Sequence, residues 1–210
     1  MRAFALALLV AAAPLVAAPL AVAPAFAAEP AASKDLTVVP AGTYQLDPSH
    51  TSVVWRVSHL GLSNYTARFD KISGSLKVDP KAPEASFIAV AIETSSVSTG
   101  LPAFDKKIAT DYFKAETAPK IEFQSGKVQK TGADTAIVTG NLTLAGVTKP
   151  VSLDVKWNGG GFNKYAQAYG LGFSATGKFK RSDFGVTQVA GAVGDEVELL
   201  IQAEFVNKGQ

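Results

Sequence analysis

The sequence contains no cysteine, only two histidines, and nearly equal numbers of basic and acidic residues, 20 Lys and Arg against 18 Asp and Glu. Without cysteine the chain has no disulfide, no thiolate nucleophile and no thiolate metal ligand. The balanced charge does not favour nucleic acid or an anionic membrane surface as a partner. Stability must therefore come from buried apolar side chains and from a well-paired backbone.

The chain begins with an almost unbroken apolar stretch that ends in the small-x-small pattern Ala25-Phe26-Ala27. This pattern predicts a cleaved signal peptide at residues 1–27. Prolines at three positions argue against a membrane-spanning helix in the same stretch: Pro14, Pro19 and Pro24. We therefore expect an exported protein, periplasmic or secreted, with no transmembrane segment in the mature chain.

Residues 28–41 are rich in Ala and Pro and lack periodicity, which predicts a disordered lead-in. From residue 42 onward, about eight segments alternate apolar and polar residues with period two, as strands do. Turn signals separate them, among them Ser125-Gly126 and the run 158–161, whereas Gly74 indicates a bend or a close approach of two backbones. The pattern predicts one all-β domain over residues 42–207.

Each predicted strand has one apolar face and one charged face. The charged positions, such as Lys77, Glu122 and Glu198, face water, which also argues against an outer-membrane barrel with a lipid-facing exterior. The apolar face suits the interior of a closed antiparallel barrel, but period two is the same for a filled barrel and for a hollow one. The inward positions include Trp55, Val57, Ile92, Phe123, Leu142, Trp157, Phe173, Ala175, Phe179 and Leu199.

One segment breaks the strand pattern and predicts one or two short helical turns, over residues 102–108 and 110–113. Helical spacing places four of its side chains on one side: Phe104, Ile108, Tyr112 and Phe113. The segment is either an ordinary crossover with a buried face or a cap that lies across an open end of the sheet and faces a ligand.

The polar residues do not group as catalytic or metal sites require. Asp47, Ser49 and His50 lie close in sequence, but Asp-Pro-Ser is first of all a turn, and a nucleophile and its base need a specific geometry. The two histidines have no apparent third metal ligand, and no glycine-rich phosphate loop precedes a helix. We expect no catalytic residue, no metal and no cofactor.

Two polar residues share the inward parity of the apolar face. His59 follows Trp55 on a strand and points inward at its end, where it either closes the rim through a hydrogen bond or contacts a ligand. Arg181 shares the parity of Phe179 and must find an anion or carbonyl groups. Asp183 is its expected partner, and a ligand phosphate or carboxylate is the alternative.

Several stretches together resemble the YceI family of exported bacterial proteins. The resemblance lies in the order and spacing of YQLD at 44–47, SH at 49–50, HLG at 59–61, TSSV at 94–97, FDKK at 104–107, DYF at 111–113, PKIEF at 119–123, GNLTLAGVTKPV at 140–151, RSDFG at 181–185 and VGDEVEL at 193–199. It implies an eight-stranded antiparallel lipocalin-like barrel, with an elongated apolar cavity for a polyisoprenoid or similar long-chain lipid. The resemblance also suggests a homodimer. Members of the family have no agreed catalytic activity, so it implies no reaction for this chain.

The sequence therefore favours a carrier that holds a long isoprenoid or fatty chain inside the barrel. Two alternatives remain open: an enzyme in which His59 or Arg181 polarises an isoprenoid head group, and a filled barrel that acts as a protein interaction module. The candidate ligand-binding residues are the inward apolar side chains, the helical segment and the two rim residues: Trp55, Val57, His59, Ile92, Phe104, Ile108, Phe113, Phe123, Leu142, Trp157, Phe173, Ala175, Phe179, Arg181 and Leu199.

Overall fold

The computed structural model describes residues 32–207, and the predicted signal peptide lies outside the described residues. Alternating burial accompanies the predicted period of two, as in β2, where Val53, Trp55 and Val57 are buried. The strands within this range are β1 (Gly42–Leu46), β2 (Ser52–His59), β3 (Ser63–Phe69), β4 (Ile72–Val78), β5 (Phe87–Glu93), β6 (Val97–Ser98), β7 (Lys120–Lys130), β8 (Thr135–Leu144), β9 (Val147–Asn163), β10 (Ala168–Lys180) and β11 (Val193–Asn207).

Eight of these strands form a closed ring in the order β1-β4-β5-β7-β8-β9-β10-β11, because β1 also pairs with β11. The closing antiparallel ladder joins Gln45 to Val206 and Leu46 to Phe205. β11 is long enough to pair with β1 near its C-terminal end and with β2 over most of its length, and β3 and β6 continue the sheet from β2. The predicted eight-stranded antiparallel barrel is confirmed.

Two short helical elements follow β6: α1 (Pro102–Lys107) and a π-helical turn (Ile108–Tyr112). Three ring contacts hold them against β2 and β3: Phe104 with Tyr65, and Phe113 with Trp55 and Phe69. The predicted helical turns are therefore present, with their apolar side against the sheet. Short 3-10 turns occupy Leu36–Val38, Pro83–Ala85, Thr94–Ser96 and Arg181–Phe184. No helix within residues 32–207 has the length and apolar character needed to span a membrane.

Two of the predicted turns lie inside strands instead. Ser125-Gly126 belongs to β7 and the run 158–161 to β9, and the ladder slips by one residue beside each of them. Such β-bulges insert an extra residue into one strand, and glycine often marks them or a close backbone approach. The turn prediction is wrong at both places, because the glycines accompany β-bulges within continuous strands and the chain does not reverse there.

The predicted disordered lead-in, residues 28–41, is wrong for its described part, which begins at residue 32. Asp35 caps the 3-10 turn Leu36–Val38 by accepting a hydrogen bond from the Thr37 backbone N–H at 2.9 Å. Val39 is only 3% exposed. The composition suggested disorder because the local sequence has no periodicity, but contacts with the barrel order this segment.

Arg181 holds together the end of the barrel that follows β10. Its side chain donates four hydrogen bonds of 2.8–3.0 Å to backbone carbonyls, and the residue is 8% exposed. The acceptors are the carbonyl oxygens of Val186, Gln188, Val193 and Gly194. The expected pairing with Asp183 is wrong, because a planar guanidinium satisfies carbonyls of the following loop and of the start of β11 at once.

A first prediction concerns Gly74, where the expected close backbone approach is confirmed. A Cβ at this position would lie 2.5 Å from the Ala89 carbonyl oxygen and 3.1 Å from the Val90 Cα, so backbone must move to accept it. We expect Gly74→Ala to lower the free energy of unfolding by about 1–3 kcal/mol in urea titrations. Gly126→Ala is the control, since its Cβ would meet only the Thr139 carbonyl oxygen at 3.8 Å. Equal stability of the two variants would contradict the prediction.

A second prediction concerns Arg181. Arg181→Met leaves the carbonyls of the following loop without their donor, so we expect a loss of about 3–5 kcal/mol in the free energy of unfolding. Arg181→Lys keeps the charge but lacks the planar fork of donors, and should fall between the wild type and the methionine variant. Denaturant unfolding monitored by circular dichroism measures both. Wild-type stability in Arg181→Met would rule out this structural role.

Candidate functional site

The barrel encloses a cavity of about 890 Å³. One end is bordered by α1 and the π-helical turn, and the other by residues 34–37 and the connections between β4 and β5 and between β7 and β8. This volume lies within the range of roughly 300–1,000 Å³ that is usual for small-molecule sites. The interior is therefore hollow, and the filled-barrel alternative does not describe it.

All candidate ligand-binding residues from the sequence border this cavity. Seven are buried (Trp55, Val57, Ile92, Ile108, Leu142, Trp157 and Arg181), seven are half-buried (Phe104, Phe113, Phe123, Phe173, Ala175, Phe179 and Leu199), and His59 is exposed. The half-buried strand residues point inward and yet keep accessible surface, because they face open space rather than packed neighbours. Their contact with a ligand stays a prediction.

Aromatic contacts brace the wall near both ends. Towards the α1 end, the Trp55 ring lies 6.1 Å from that of Tyr65 and 6.0 Å from that of Phe113, between centroids. Towards the other end, the Trp157 and Phe173 centroids are 5.1 Å apart. Tilted and edge-to-face pairs of this kind add about 0.5–1.5 kcal/mol each beyond their burial. The walls are thus supported without side chains filling the space between them.

Charged residues that border the cavity occur at its ends. Five lie at one end and two at the other: Lys34, Asp35, Glu84, Lys130 and Asp134 at the first, and His59 and Arg181 at the second. Along the middle, the hydroxyl group of Ser125 accepts a hydrogen bond from the Ile88 backbone N–H at 3.0 Å, so it is already paired. The long middle of the cavity therefore presents an apolar surface.

The two predicted rim residues differ in what they offer a ligand. Four of the guanidinium donors of Arg181 are bonded to backbone carbonyls, as described above, which leaves little capacity for a head group. His59 ends β2, opposite Val193, and is exposed at the edge of the cavity. His59 is thus the more accessible of the two.

Two buried polar atoms in the described range have no hydrogen-bond partner: Trp55 Nε1 and Gln188 Oε1. Both residues border the cavity. An unpaired buried donor or acceptor costs about 1–3 kcal/mol, so these atoms mark the less well satisfied part of the wall. Sequence reasoning missed Gln188 because it lies in a loop without periodicity.

Other lining residues also escaped the sequence analysis. Tyr65 and Phe69 alternate on β3 and were detectable from their period of two, but the strand begins with Ser63 and Asn64, residue types that are typical of turns. Residues 34–37 carry no pattern that points to a cavity. Their place there depends on contacts with β9, which the local sequence does not reveal.

Asp47, Ser49 and His50 form a turn between β1 and β2 and do not border the cavity. The Asp47 carboxylate accepts a hydrogen bond from the Ser49 backbone N–H at 2.9 Å and lies 2.7 Å from His50 Nδ1. The bond to His50 holds the pKa of Asp47 below its usual range and raises the pKa of His50. Glu204 brings a third possible metal ligand within 4.8 Å, but this surface group has no further feature that indicates a metal.

Solved structures with the same fold include the crystal structure of BcnA from Burkholderia cenocepacia. It superposes with a TM-score of 0.68 at 24% sequence identity, covering 76% of this chain and 98% of BcnA. The structure of a polyisoprenoid binding domain from Saccharophagus degradans, implicated in plant cell wall breakdown, gives a TM-score of 0.60 at 16% identity and covers 78% and 97% of the two chains. Both similarities establish the barrel architecture.

Sequence relatives include a UPF0312 protein of Serratia proteamaculans, which is 38% identical over 169 residues. The aligned region covers 79% of this chain and 87% of that protein. A family model described as the YceI-like domain matches residues 44–205. These residues extend from β1 to β11 and therefore include all eight ring strands in whole or in part. The chain therefore belongs to the YceI-like family.

Proposed function

We propose that the mature protein binds a long isoprenoid or acyl chain inside the barrel and stores, shields or transfers it within the cell envelope. The observation that carries this proposal is the cavity of about 890 Å³, which runs between the two ends of the barrel with an apolar middle. A slender apolar chain fits such a space, and a polar end of it would meet charged residues at either end of the cavity. The polyisoprenoid binding domain of Saccharophagus degradans, which shares this fold, supports the same ligand class.

Burial of the lipid chain accounts for the expected affinity. Each methylene removed from water contributes roughly 0.8 kcal/mol, so ten buried carbons give about 8 kcal/mol before ordering costs are subtracted. That gross value corresponds to a dissociation constant near the micromolar range. Chain length therefore sets most of the affinity, and hydrogen bonds set little of it.

The place of action follows from the predicted signal peptide, and we propose the periplasm. A lipid carrier there must face water outside and lipid inside. The outward residues fit this requirement: Lys178 pairs with Glu196 at 2.8 Å and with Glu198 at 2.9 Å on the outer face of β10 and β11. The carboxylates raise the pKa of Lys178, and this cation lowers the pKa of Glu198.

Protein purified without detergent should carry its lipid. We expect native mass spectrometry to show a bound molecule, and solvent extraction to release an isoprenoid of roughly 30 to 50 carbons, since the cavity is elongated and apolar. The same spectra report whether the suggested homodimer forms. A folded, empty protein that also takes up no added long chain would contradict the proposal.

Filling the middle of the cavity should block binding. Ala175 points inward from the centre of β10, opposite Val155 and Ile201, and borders the cavity. We expect Ala175→Trp to weaken binding of a long fatty acid at least 100-fold. The indole would displace a few methylenes of the ligand, and the lost burial of about 3 kcal/mol corresponds to that change in affinity. Isothermal titration calorimetry measures the change.

The matched control for this experiment is Thr176→Trp, which places the same side chain on the neighbouring, exposed position of β10. It should bind like the wild type. If Ala175→Trp folds and binds with unchanged affinity, the ligand does not occupy this part of the cavity.

A further inference from the structure

The first described residues lie along β9 rather than projecting into solvent. Ser33 and Gly160 exchange two backbone hydrogen bonds, of 3.0 Å from the Ser33 N–H and 2.9 Å from the Gly160 N–H. One residue on, the indole N–H of Trp157 donates to the Lys34 carbonyl oxygen at 3.0 Å, and the Lys34 ammonium donates to the Trp157 carbonyl oxygen at 3.2 Å. We name residues 33–38 the N-terminal strap.

The glycines of β9 make room for this strap. A Cβ at Gly159 would lie 2.8 Å from the Ala32 Cβ and 3.0 Å from the Ser33 carbonyl oxygen, both on or beside the strap. A Cβ at Gly160 would meet the barrel first, at 2.7 Å from Trp157 Cη2 and 2.8 Å from the Gly170 carbonyl oxygen, and then Val39 Cγ1 at 3.1 Å, where the chain leaves the strap. Gly159, which lies in the glycine run predicted to be a turn, therefore forms the seat of the strap.

The strap also forms part of the cavity wall. Lys34, Asp35, Leu36 and Thr37 border the cavity at the end where Trp157 lies. At the opposite end, α1, the π-helical turn and the loop bonded to Arg181 cross the barrel, and Ile108 and Phe184 are buried there at 2% and 1% exposure. The strap is thus a part of the wall that lies outside the ring strands, at the end opposite α1.

Few bonds hold the strap in place compared with a ring strand. β10, for example, pairs with β9 and with β11 along its length, whereas the strap has one two-bond bridge and the reciprocal pair with Trp157. Segments with few backbone bonds open locally without unfolding of the remaining structure. The strap can therefore leave its seat while the barrel stays closed.

We propose that the N-terminal strap is a detachable wall of the ligand site and that its release from β9 opens the passage through which the long apolar ligand exchanges. This inference rests on the proposed function. Seated, the strap covers the ligand chain beside Trp157. Released, it exposes this end of the cavity while the Arg181 end stays closed.

The test uses Gly159→Ala in the mature protein, with Gly161→Ala as the matched control. Both glycines have positive φ, +133° and +155°, so alanine strains the backbone at either one, but a Cβ at Gly161 would meet nothing within 4 Å. Ser33→Pro is a second variant: it removes the N–H that bonds to Gly160, and Ser33 lies outside all strands. The barrel ladder is thus untouched in that variant.

The probe is parinaric acid, a fluorescent long-chain fatty acid, and the readout is its transfer from protein to excess phosphatidylcholine vesicles in stopped flow. We expect Gly159→Ala and Ser33→Pro to raise the dissociation rate at least tenfold, and Gly161→Ala to stay within twofold of the wild type. If the two strap variants bind the probe but release it at rates within twofold of the wild type, the strap inference alone is overturned. Failure of the wild type to bind the probe or any long chain overturns the proposed function, and the inference with it.

Native-state hydrogen exchange gives a second test that needs no ligand. The Ser33 and Gly160 amides should exchange at least tenfold faster than the β10 amides that face β11, because they open with the strap. Equal protection of the two groups would mean that the strap leaves its seat only when the whole barrel unfolds, which would overturn the inference.

Discussion

Closure of the ring by β1 and β11 is the constraint on which the rest of the structure depends. Two residue pairs complete it, Gln45 with Val206 and Leu46 with Phe205, and beside them the Asp47 backbone N–H donates to the Glu204 carbonyl oxygen at 2.8 Å. These few bonds turn an open sheet into a barrel with an inside and an outside. Once the ring is closed, the alternation of side chains along each strand decides which ones meet water and which ones meet the cavity. Lys178 and Glu198 lie outside for the same reason that Phe179 and Leu199 lie inside.

The hollow interior has a structural cost, because wall residues forgo the dispersion contacts of a packed core. Aromatic pairs such as Trp157 with Phe173 recover part of it within the wall itself. The other unmade dispersion contacts are available to any apolar molecule that enters the cavity. In this sense the same unfilled surface that weakens the empty barrel is the source of the affinity of the proposed lipid site.

The family resemblance, rather than the period, predicted the closed eight-stranded barrel. Period two in the sequence was sufficient to predict the all-β class, the inward residues and the charged exterior, because all three depend on parity alone. It was insufficient for the hollow interior, since filled and empty barrels have the same period. The positions of the bulges escaped prediction because glycine signals a turn and a bulge alike, as at Gly126. The partners of Arg181 were missed because carbonyls of the later loop and of the start of β11 bind its side chain in place of Asp183. The ordered strap was missed because its contacts with β9 are distant in sequence.

The sequence contains two tryptophans, and the fold places both in the cavity wall. Trp55 lies near the end that α1 covers, whereas Trp157 lies beside the strap. Indole emission depends on the polarity around the ring, so replacing either tryptophan by phenylalanine leaves a single indole at a known end. The protein thus carries two intrinsic optical reporters, with which the direction of an apolar molecule entering the barrel is observable without any label.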